Sequence, residues 1–182
     1  KSKKVFTPKY IFITPFTDET TKGTNVYQCE EIIRDSTSIT QEENTENPVE
    51  NELSSAPIIN NIQAGQYSVA TEIADLQPDL LKDLLGFTVS NKLASLLVFE
   101  SCKVPYESFA LVFQGTDGKY IACILPKVQM SPTVTIDSLS TSIGRIALAG
   151  TGSLLEMTND SGKVMTPFMI DYDYTIPTTV GG

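Results

Sequence analysis

Short segments rich in β-branched and aromatic residues recur along this chain, and turn residues separate them. Such segments are typical of β-strands, because branched and aromatic side chains pack well on a pleated, half-buried surface. The sequence predicts strands at 10–13, 26–29, 66–73, 109–113, 120–125, 133–136 and 143–149. Seven or more strands in 182 residues predict a mainly β fold, a β-sandwich or small barrel, built as a single domain over residues 1–182.

Two short sequences predict hairpin turns between strands. Gly115-Thr116-Asp117-Gly118 contains an Asp-Gly pair, which can supply the positive backbone dihedrals that a tight hairpin requires. Asn159-Asp160-Ser161-Gly162 has the same character and lies between the apolar segments 154–157 and 164–169. Both pairs of flanking segments are therefore expected to form antiparallel hairpins.

One segment predicts a helix of about two turns. Pro78 suits the first turn, Asp79 suits the positive end of the helix dipole, and Gly86 suits a left-handed C-terminal cap. One apolar stripe at helical spacing is formed by Leu80, Leu81, Leu84 and Leu85. We expect this helix to lie flat on the sheet and to cover an apolar face.

The charge of the chain is concentrated in one segment. Nine carboxylates and no Lys or Arg occur from Asp35 to Asp79, and the other 13 of the 22 acids balance the 13 bases, so this segment carries the whole net charge of −9. Between 35 and 61 the acids alternate with Asn, Thr, Ser and Pro, a composition that cannot form its own core.

We expect residues 35–61 to project as a long extended arm loop. A solvated flexible loop is the simplest interpretation, and an arm that becomes ordered against a neighbouring subunit is the alternative. Its apolar side chains are too many for a pure linker, and docking on a neighbour would bury them. The candidate inter-subunit residues are Asp35, Ile39, Glu42, Glu43, Glu46, Val49, Glu50, Glu52, Leu53, Ile58 and Ile59.

The sequence offers little for catalysis. The chain has no histidine, which excludes Ser-His-Asp and Cys-His enzymes. A hydrolase could use Asp171 and Asp173, which alternation predicts on one face of a strand, or Glu30 and Glu31, but both pairs are more typical of solvated strand edges. We therefore predict no catalytic residues, no cofactor and no metal.

Composition also bears on compartment and partners. Three scattered cysteines in apolar surroundings indicate small buried residues in a reducing compartment rather than a disulfide framework. No apolar run approaches the length of a membrane span, and the basic start leads into Val5-Phe6-Thr7-Pro8, so a soluble, unexported protein is expected. A pI near 4.4 disfavours binding to nucleic acid through phosphate contacts.

The order of these signals from about Val26 to Gly152 resembles a known family. A strand-rich start and an acidic insertion are followed by Tyr67–Leu76, by the short helix ending in Leu84-Leu85-Gly86-Phe87, and then by three further strand segments. Those segments are Tyr106–Phe113, Asp117–Val128 and Ala147–Gly152. This pattern is similar to that of the major tail proteins, or tail tube proteins, of long-tailed bacteriophages.

The resemblance implies a β-sandwich or small barrel with one flanking helix. Members assemble as hexameric rings that stack into a hollow tube, through which DNA passes during genome ejection, and the lumen is typically acidic. The implied partners are copies of the chain itself, the tape measure protein, tail terminator and tip proteins, and DNA in a non-adhesive contact. The implied location is the virion tail, after synthesis in the host bacterial cytoplasm, with no membrane and no cofactor.

Two hypotheses about binding remain to be compared. If the acidic arm docks on a neighbour, its candidate basic partners are Lys3, Lys4, Lys9, Lys22 and Arg145. Charge reversal at Lys3 and Lys4 should then impair tube growth. The alternative function is a monomeric β-sandwich binding module for a carbohydrate or receptor. Its stacking platforms would be Tyr106, Tyr120, Tyr172 or Tyr174.

Overall fold

The computed structural model describes residues 6–29, 31–51, 54–74, 78–90, 92–93, 95–99, 106–136 and 144–179. This part of the chain is mainly β, as predicted, with fourteen strands and one short helix. In chain order the elements are β1 Phe6–Pro15, β2 Tyr27–Cys29, β3 Ser38–Gln41, β4 Thr45–Asn51, β5 Ser54–Gln63, β6 Tyr67–Ile73, α1 Pro78–Leu85, β7 Phe87–Val89, β8 Leu97–Phe99, β9 Tyr106–Gly115, β10 Tyr120–Thr135, β11 Arg145–Gly152, β12 Leu155–Asn159, β13 Gly162–Thr166 and β14 Met169–Asp171.

One antiparallel sheet organises the body of the protein. Its strand order is β2-β1-β9-β10-β11-β6-β3, and β14 pairs with β10 outside this path. Three separate two-stranded hairpins, β4–β5, β7–β8 and β12–β13, accompany the sheet. The fold therefore consists of a central sheet and three hairpin extensions.

Strand β10 is the longest element and links the two halves of the sheet. Its first part pairs with β9 and β14, and its second part pairs with β11. Residues 133–135 are strand, as predicted, but they continue the strand that starts at Tyr120, because β10 runs through Pro126 and Pro132 to Thr135. A register shift against β9 between Leu125 and Val128 accommodates the first of these prolines, which has no amide hydrogen to donate.

The sheet curls until one segment contacts both of its ends. Residues 27–29 pair with β1 at one edge of the sheet, and residues 31–33 run along β6 near the opposite edge. The Ile33 amide donates to the Glu72 carbonyl at 2.9 Å, and the Ala74 amide donates to the Glu31 carbonyl at 2.6 Å. The result is an incompletely closed barrel, because the same segment bridges both edges of the sheet.

The main core lies inside this barrel and is capped by the helix. Leu80 and Leu84 of α1 are buried in it, Leu81 packs beside them, and Gly86 ends the helix with φ 75°. The predicted left-handed cap is therefore confirmed, and so is the apolar stripe for Leu80, Leu81 and Leu84, whereas the side chain of Leu85 lies outside the described residues. The buried core residues are Ile11, Ile13, Tyr27, Cys29, Val69, Ile73, Leu80, Leu84, Phe109, Leu111, Leu125, Val128, Met130, Ile146 and Leu148.

A smaller apolar cluster lies on the other face of β1, β9 and β10. It contains Phe12, Ala110, Val112 and Ala122, all buried. Tyr174 and Ile176, in the segment after β14, pack against this cluster, and the Tyr174 amide donates to the Tyr120 carbonyl at 3.1 Å. The segment after β14 therefore covers the outer face of this half of the sheet.

Both predicted hairpin turns are present. The first closes with a hydrogen bond from the Gly115 amide to the Lys119 carbonyl at 2.9 Å, and Gly118 has φ 80°. Gly162 has φ 115° in the second turn, between β12 and β13. In the first turn Gly118 has a positive φ and Asp117 does not, so the expectation that both residues of the Asp-Gly pair would supply positive dihedrals was wrong.

Candidate self-assembly surfaces

The first part of the acidic segment belongs to the body of the protein. The Ser36 hydroxyl donates to the Ile33 carbonyl at 2.7 Å and accepts from the Glu72 amide at 3.0 Å, and the Thr37 hydroxyl lies 2.8 Å from that of Thr71. These contacts fix the segment along β6, where β3 then pairs. The segment could not be recognised as sheet from its polar composition, because hydroxyl groups as well as apolar side chains hold it.

Two candidate arm residues are therefore located in this fixed part. Ile39 packs against the core of its own chain, so the reason for assigning it to a neighbour does not apply. Asp35 has φ 61° and an exposed carboxylate 3.9 Å from the exposed guanidinium of Arg34. The projecting part of the arm starts only after β3.

The projecting part is a two-stranded hairpin, β4–β5, rather than the extended loop that was expected. Val49 pairs with Ile59 and Glu46 pairs with Ile62, so strand-forming residues face each other across the two strands. At its base the Glu42 amide donates to the Gln66 carbonyl at 2.9 Å. We call β4–β5 and its base residues, 42–66, the arm hairpin.

Most of the side chains that the structure describes in the arm hairpin are exposed to solvent. Every side chain described between 42 and 49 and between 60 and 64 is exposed, including Val49 and Ile62, whose exposed fraction is 62%. Among the described residues, Glu42, Glu43 and Glu46 take part in no ion pair, and Glu46 accepts a hydrogen bond from Asn60 at 3.3 Å. Glu52 and Leu53 lie outside the described residues, as do the side chains of Glu50, Ile58 and Ile59.

The candidate basic partners are dispersed. Lys9 is exposed on β1, with its Nζ 5.9 Å from the ring centroid of Tyr10. Lys22 is exposed in the loop after β1, and Arg145 begins β11, opposite Thr135. Lys3 and Lys4 lie outside the described residues. A link between these bases and the arm of a neighbour remains a prediction.

The β7–β8 hairpin carries a second exposed surface, which is apolar. Phe87 packs on the core and contacts Phe99 edge-on, with ring centroids 5.6 Å apart. Phe99 is nevertheless 58% exposed, and its exposed apolar neighbours are Val89, Leu93, Leu96 and Val98. A cluster of this kind is unusual on a monomer and is typical of a protein contact.

A third exposed surface is formed by the β12–β13 hairpin and β14. Exposed apolar side chains here are Leu154, Val164, Met165, Ile170 and Tyr172. Lys163 and Glu156 form an exposed ion pair at 2.8 Å on the same hairpin. The sequence predicted this hairpin but not its exposure, because the turn signal does not show which face packs on the body.

The open edges of the main sheet are short. Within the described strands, β2, β3 and β14 each pair on one side only, and the first half of β1 has β9 alone. Residues 27–41 already cover parts of β1 and β6. Pairing of the main sheet with another copy could use these remaining stretches, and the outer edges of the three two-stranded hairpins are open as well among the described strands.

A cleft opens where the barrel is not closed. It lies between the first half of β1 and residues 32–37, with a volume of about 670 Å³. Ile11, Leu111 and Phe113 line its apolar floor, and Lys9 and Arg34 lie among its polar lining residues. It therefore offers apolar contact and two cations, but no histidine or cysteine for catalysis.

One carboxylate is buried in the main body. Glu107 of β9 is 1% exposed, and its Oε2 has no hydrogen-bond partner among the described residues. Burial disfavours the charged form and raises the pKa of Glu107 to about 8. The sequence reasoning missed this group, because a Glu at the start of an apolar strand can lie on either side of the sheet.

The structure describes one of the two carboxylate pairs that were considered for catalysis, Asp171 and Asp173. Asp171 ends β14 and Asp173 lies in the following turn, so the prediction that both share a strand face was wrong. The Asp173 amide donates to the Asp171 carboxylate at 3.0 Å, which stabilises the turn. Glu31 is exposed, and Glu30 lies outside the described residues. In the described ranges, no group of three Cys, Asp or Glu could hold a metal ion.

Most of the candidate aromatic platforms are engaged within the chain. Tyr106 contacts Phe16 and has the Lys127 Nζ 4.2 Å from its ring centroid. Tyr120 contacts Tyr10, and Tyr174 packs beside Phe12 in the smaller cluster. Tyr172, which is 71% exposed, is the one of the four predicted platforms that has its ring in solvent.

Two comparisons with known proteins found no relative of this chain. Among the described residues, no helix is both long and apolar enough to cross a membrane. The chain matches no protein-family model, and a search of curated proteins found no match either.

Proposed function

We propose that this chain is a structural, self-assembling subunit, the major tail tube protein of a long-tailed bacteriophage. In this proposal, hexameric rings of the chain stack into a tube around a channel for DNA. The observation that carries the proposal is the set of three hairpins whose apolar side chains are left exposed by the body of the protein. The order of sequence signals supports the phage assignment by resemblance.

Exposed apolar hairpins favour association for a simple physical reason. Removing apolar surface from water stabilises a contact by roughly 25 cal/mol per Å². Val49 and Ile62 of the arm hairpin, and Leu93 and Phe99 of β7–β8, would each be buried by a neighbouring copy. A chain that works alone would gain nothing from keeping such residues on three projecting elements.

The open strand edges allow rings to form by backbone pairing. In a ring, β14 or the first half of β1 could each accept a strand from the next copy, and the closed ring would leave no edge. These stretches of the main sheet are short, so we propose that hairpin contacts between stacked rings contribute at least as much to the cohesion of the tube as sheet pairing within a ring does.

The charge distribution suits a channel for DNA. Glu42, Glu43 and Glu46 are exposed and lack ion pairs among the described residues. Carboxylates repel the phosphates of DNA, so a tube with a net charge of −9 per subunit would let DNA slide without binding. Failure to bind DNA in low salt is therefore an expected property.

Sedimentation velocity over a wide concentration range tests the proposal. The wild-type chain should form discrete particles of ring size or larger. Ile62→Lys should reduce particles larger than a single ring about tenfold, because it places a charge on an apolar contact surface. Asn61→Lys adds the same charge at a polar position of the same strand, opposite Asn47, and should change little. A wild-type chain that sediments as a monomer at the highest concentration would exclude the proposal.

A further inference from the structure

The geometry points to a polar, head-to-tail contact between copies. In it, the arm hairpin and β12–β13 of one copy meet the β7–β8 hairpin of the next. This inference rests on the proposed function, since it assigns the surfaces by which one ring stacks on another. It follows from where the topology places the hairpins, and from their exposed side chains and charges.

Strand β6 defines the two ends of the barrel. The arm hairpin leads into its first residue, Tyr67, while α1 and then β7 follow its last residue, Ile73. Seven residues of strand span about 20 Å, so these extensions leave from opposite ends. We call them the arm end and the helix end.

The β12–β13 hairpin belongs to the arm end. It follows Gly152 of β11, and Thr151 pairs with Ser68 at the start of β6. After β13, Phe168 stacks on Tyr67 with ring centroids 4.7 Å apart. The apolar side chains of Leu154, Val164 and Met165 are therefore exposed at the same end as the acidic arm hairpin.

The β7–β8 hairpin and the end of β10 belong to the helix end. Val134 of β10 pairs with Ile146, which in turn pairs with Ile73 at the end of β6. Ile136, just beyond β10, is 73% exposed. Leu93, Leu96, Val98 and Phe99 add exposed apolar surface on the hairpin that follows α1.

The two ends are complementary rather than alike. Both offer apolar side chains that nothing in the described chain covers, but their charges differ. The arm end carries Glu42, Glu43 and Glu46 and, on the β12–β13 hairpin, Glu156, Asp160 and Lys163. The helix end carries Asp79, Lys82 and Asp83 on α1 and Lys92 on β7–β8, so among the described residues of these elements the excess of acids lies at the arm end. Contact between two arm ends would bring the acids together, so the favoured partner of an arm end is a helix end. A contact between two different surfaces repeats without limit and gives stacks.

Two blocked variants test this polarity. Val98→Asp blocks the helix end and leaves the arm end intact, and Met165→Asp does the reverse. Both positions are exposed, so both chains should fold, which circular dichroism and thermal unfolding check. Leu93→Asp and Leu154→Asp are replacements if either variant fails to fold, and Ser95→Asp and Thr158→Asp add the same charge at polar positions of the same hairpins.

Electron microscopy and sedimentation give the readout. Each blocked variant alone should form single rings, with at least about tenfold less material in stacks than the wild type. An equimolar mixture should form paired rings and nothing longer, because one intact arm end meets one intact helix end. Long stacks from either variant alone, or only single rings in the mixture, would overturn the inference.

The same mixture separates this inference from the proposed function. If the wild-type chain forms no rings at all, the tube proposal fails. The head-to-tail contact is then tested by light scattering, which measures whether the mixture of the two variants forms dimers. Dimers in the mixture but in neither variant alone would support the head-to-tail contact. Monomers throughout would overturn it.

Discussion

Tyr67 and Phe168 stack face to face, with ring centroids 4.7 Å apart and an interplanar angle of 9°. The first begins β6, and the second follows β13, so the stack joins the β12–β13 hairpin to the strand next to the arm hairpin. Both rings also pack against the main core. This contact fixes how two of the three hairpins are oriented relative to the barrel.

Replacing Phe168 by Ala should weaken both folding and assembly. The change removes half-buried apolar surface and a stacked pair, so the free energy of unfolding should fall by about 2 kcal/mol. Urea unfolding measures this, with Phe168→Leu as a control that keeps most of the apolar volume. An unchanged unfolding free energy would show that the stack does not hold the hairpin.

Glu107 should make stability depend on pH in an unusual direction. Its folded pKa of about 8 lies above the ordinary value of 4.5, so the folded chain binds more protons than the unfolded one between these values. The contribution of this group is therefore fully present below pH 4.5 and is lost as pH rises towards 8. The upper limit of the loss is about 5 kcal/mol.

Glu107→Gln should abolish that dependence. Unfolding by urea at pH 5 and pH 8 should show a difference in the wild type that shrinks by most of its size in the variant. The same substitution at Glu19, which is exposed, serves as the control. If wild type and Glu107→Gln lose stability equally between the two pH values, the buried carboxylate is not the cause.

The hydrogen bond from the Tyr27 hydroxyl to the Asp83 carboxylate links β2 to helix α1. Tyr27→Phe removes the bond and keeps the ring in the core, so the cost should be about 1 kcal/mol. Asp83 is exposed, and water can replace its lost partner. Thermal unfolding of Tyr27→Phe measures the effect. Lys82→Ala, which changes a residue of helix α1 outside this bond, is the control. A larger loss for Lys82→Ala would contradict this assignment.

Gly150 allows β10 and β11 to approach closely. A Cβ at this position would lie 2.5 Å from the Gln129 carbonyl oxygen, which belongs to the paired strand and cannot move freely. Gly150→Ala should therefore cost about 1–3 kcal/mol. Gly152→Ala is the graded comparison, because its nearest atoms lie at 3.2 Å or more, and it should cost less. Equal costs would mean that the strands separate easily.

The fold class and many elements could be predicted from local chemistry. Pro78, Gly86 and the leucine stripe determine the helix, and Gly118 determines a hairpin turn, because each depends only on neighbouring residues. The continuity of β10 and the closure of the barrel by residues 27–41 were missed. Both depend on pairing partners far away in the chain, which alternation alone does not identify.

The candidate surfaces were only partly accessible to sequence reasoning. The acidic composition indicated the arm, but hydroxyl contacts by Ser36 and Thr37 fixed its first part to the body. The apolar β7–β8 hairpin was missed, because exposed and buried apolar strands have the same composition. Glu107 was missed because its burial follows from packing rather than from its own neighbours in sequence.

Negative-stain electron microscopy of the purified wild-type chain tests the central claim most directly. The account predicts rings with a central hole, and tubes of stacked rings at higher protein concentration. Uniform compact monomers at every concentration, with the arm hairpin folded onto its own body, would contradict it.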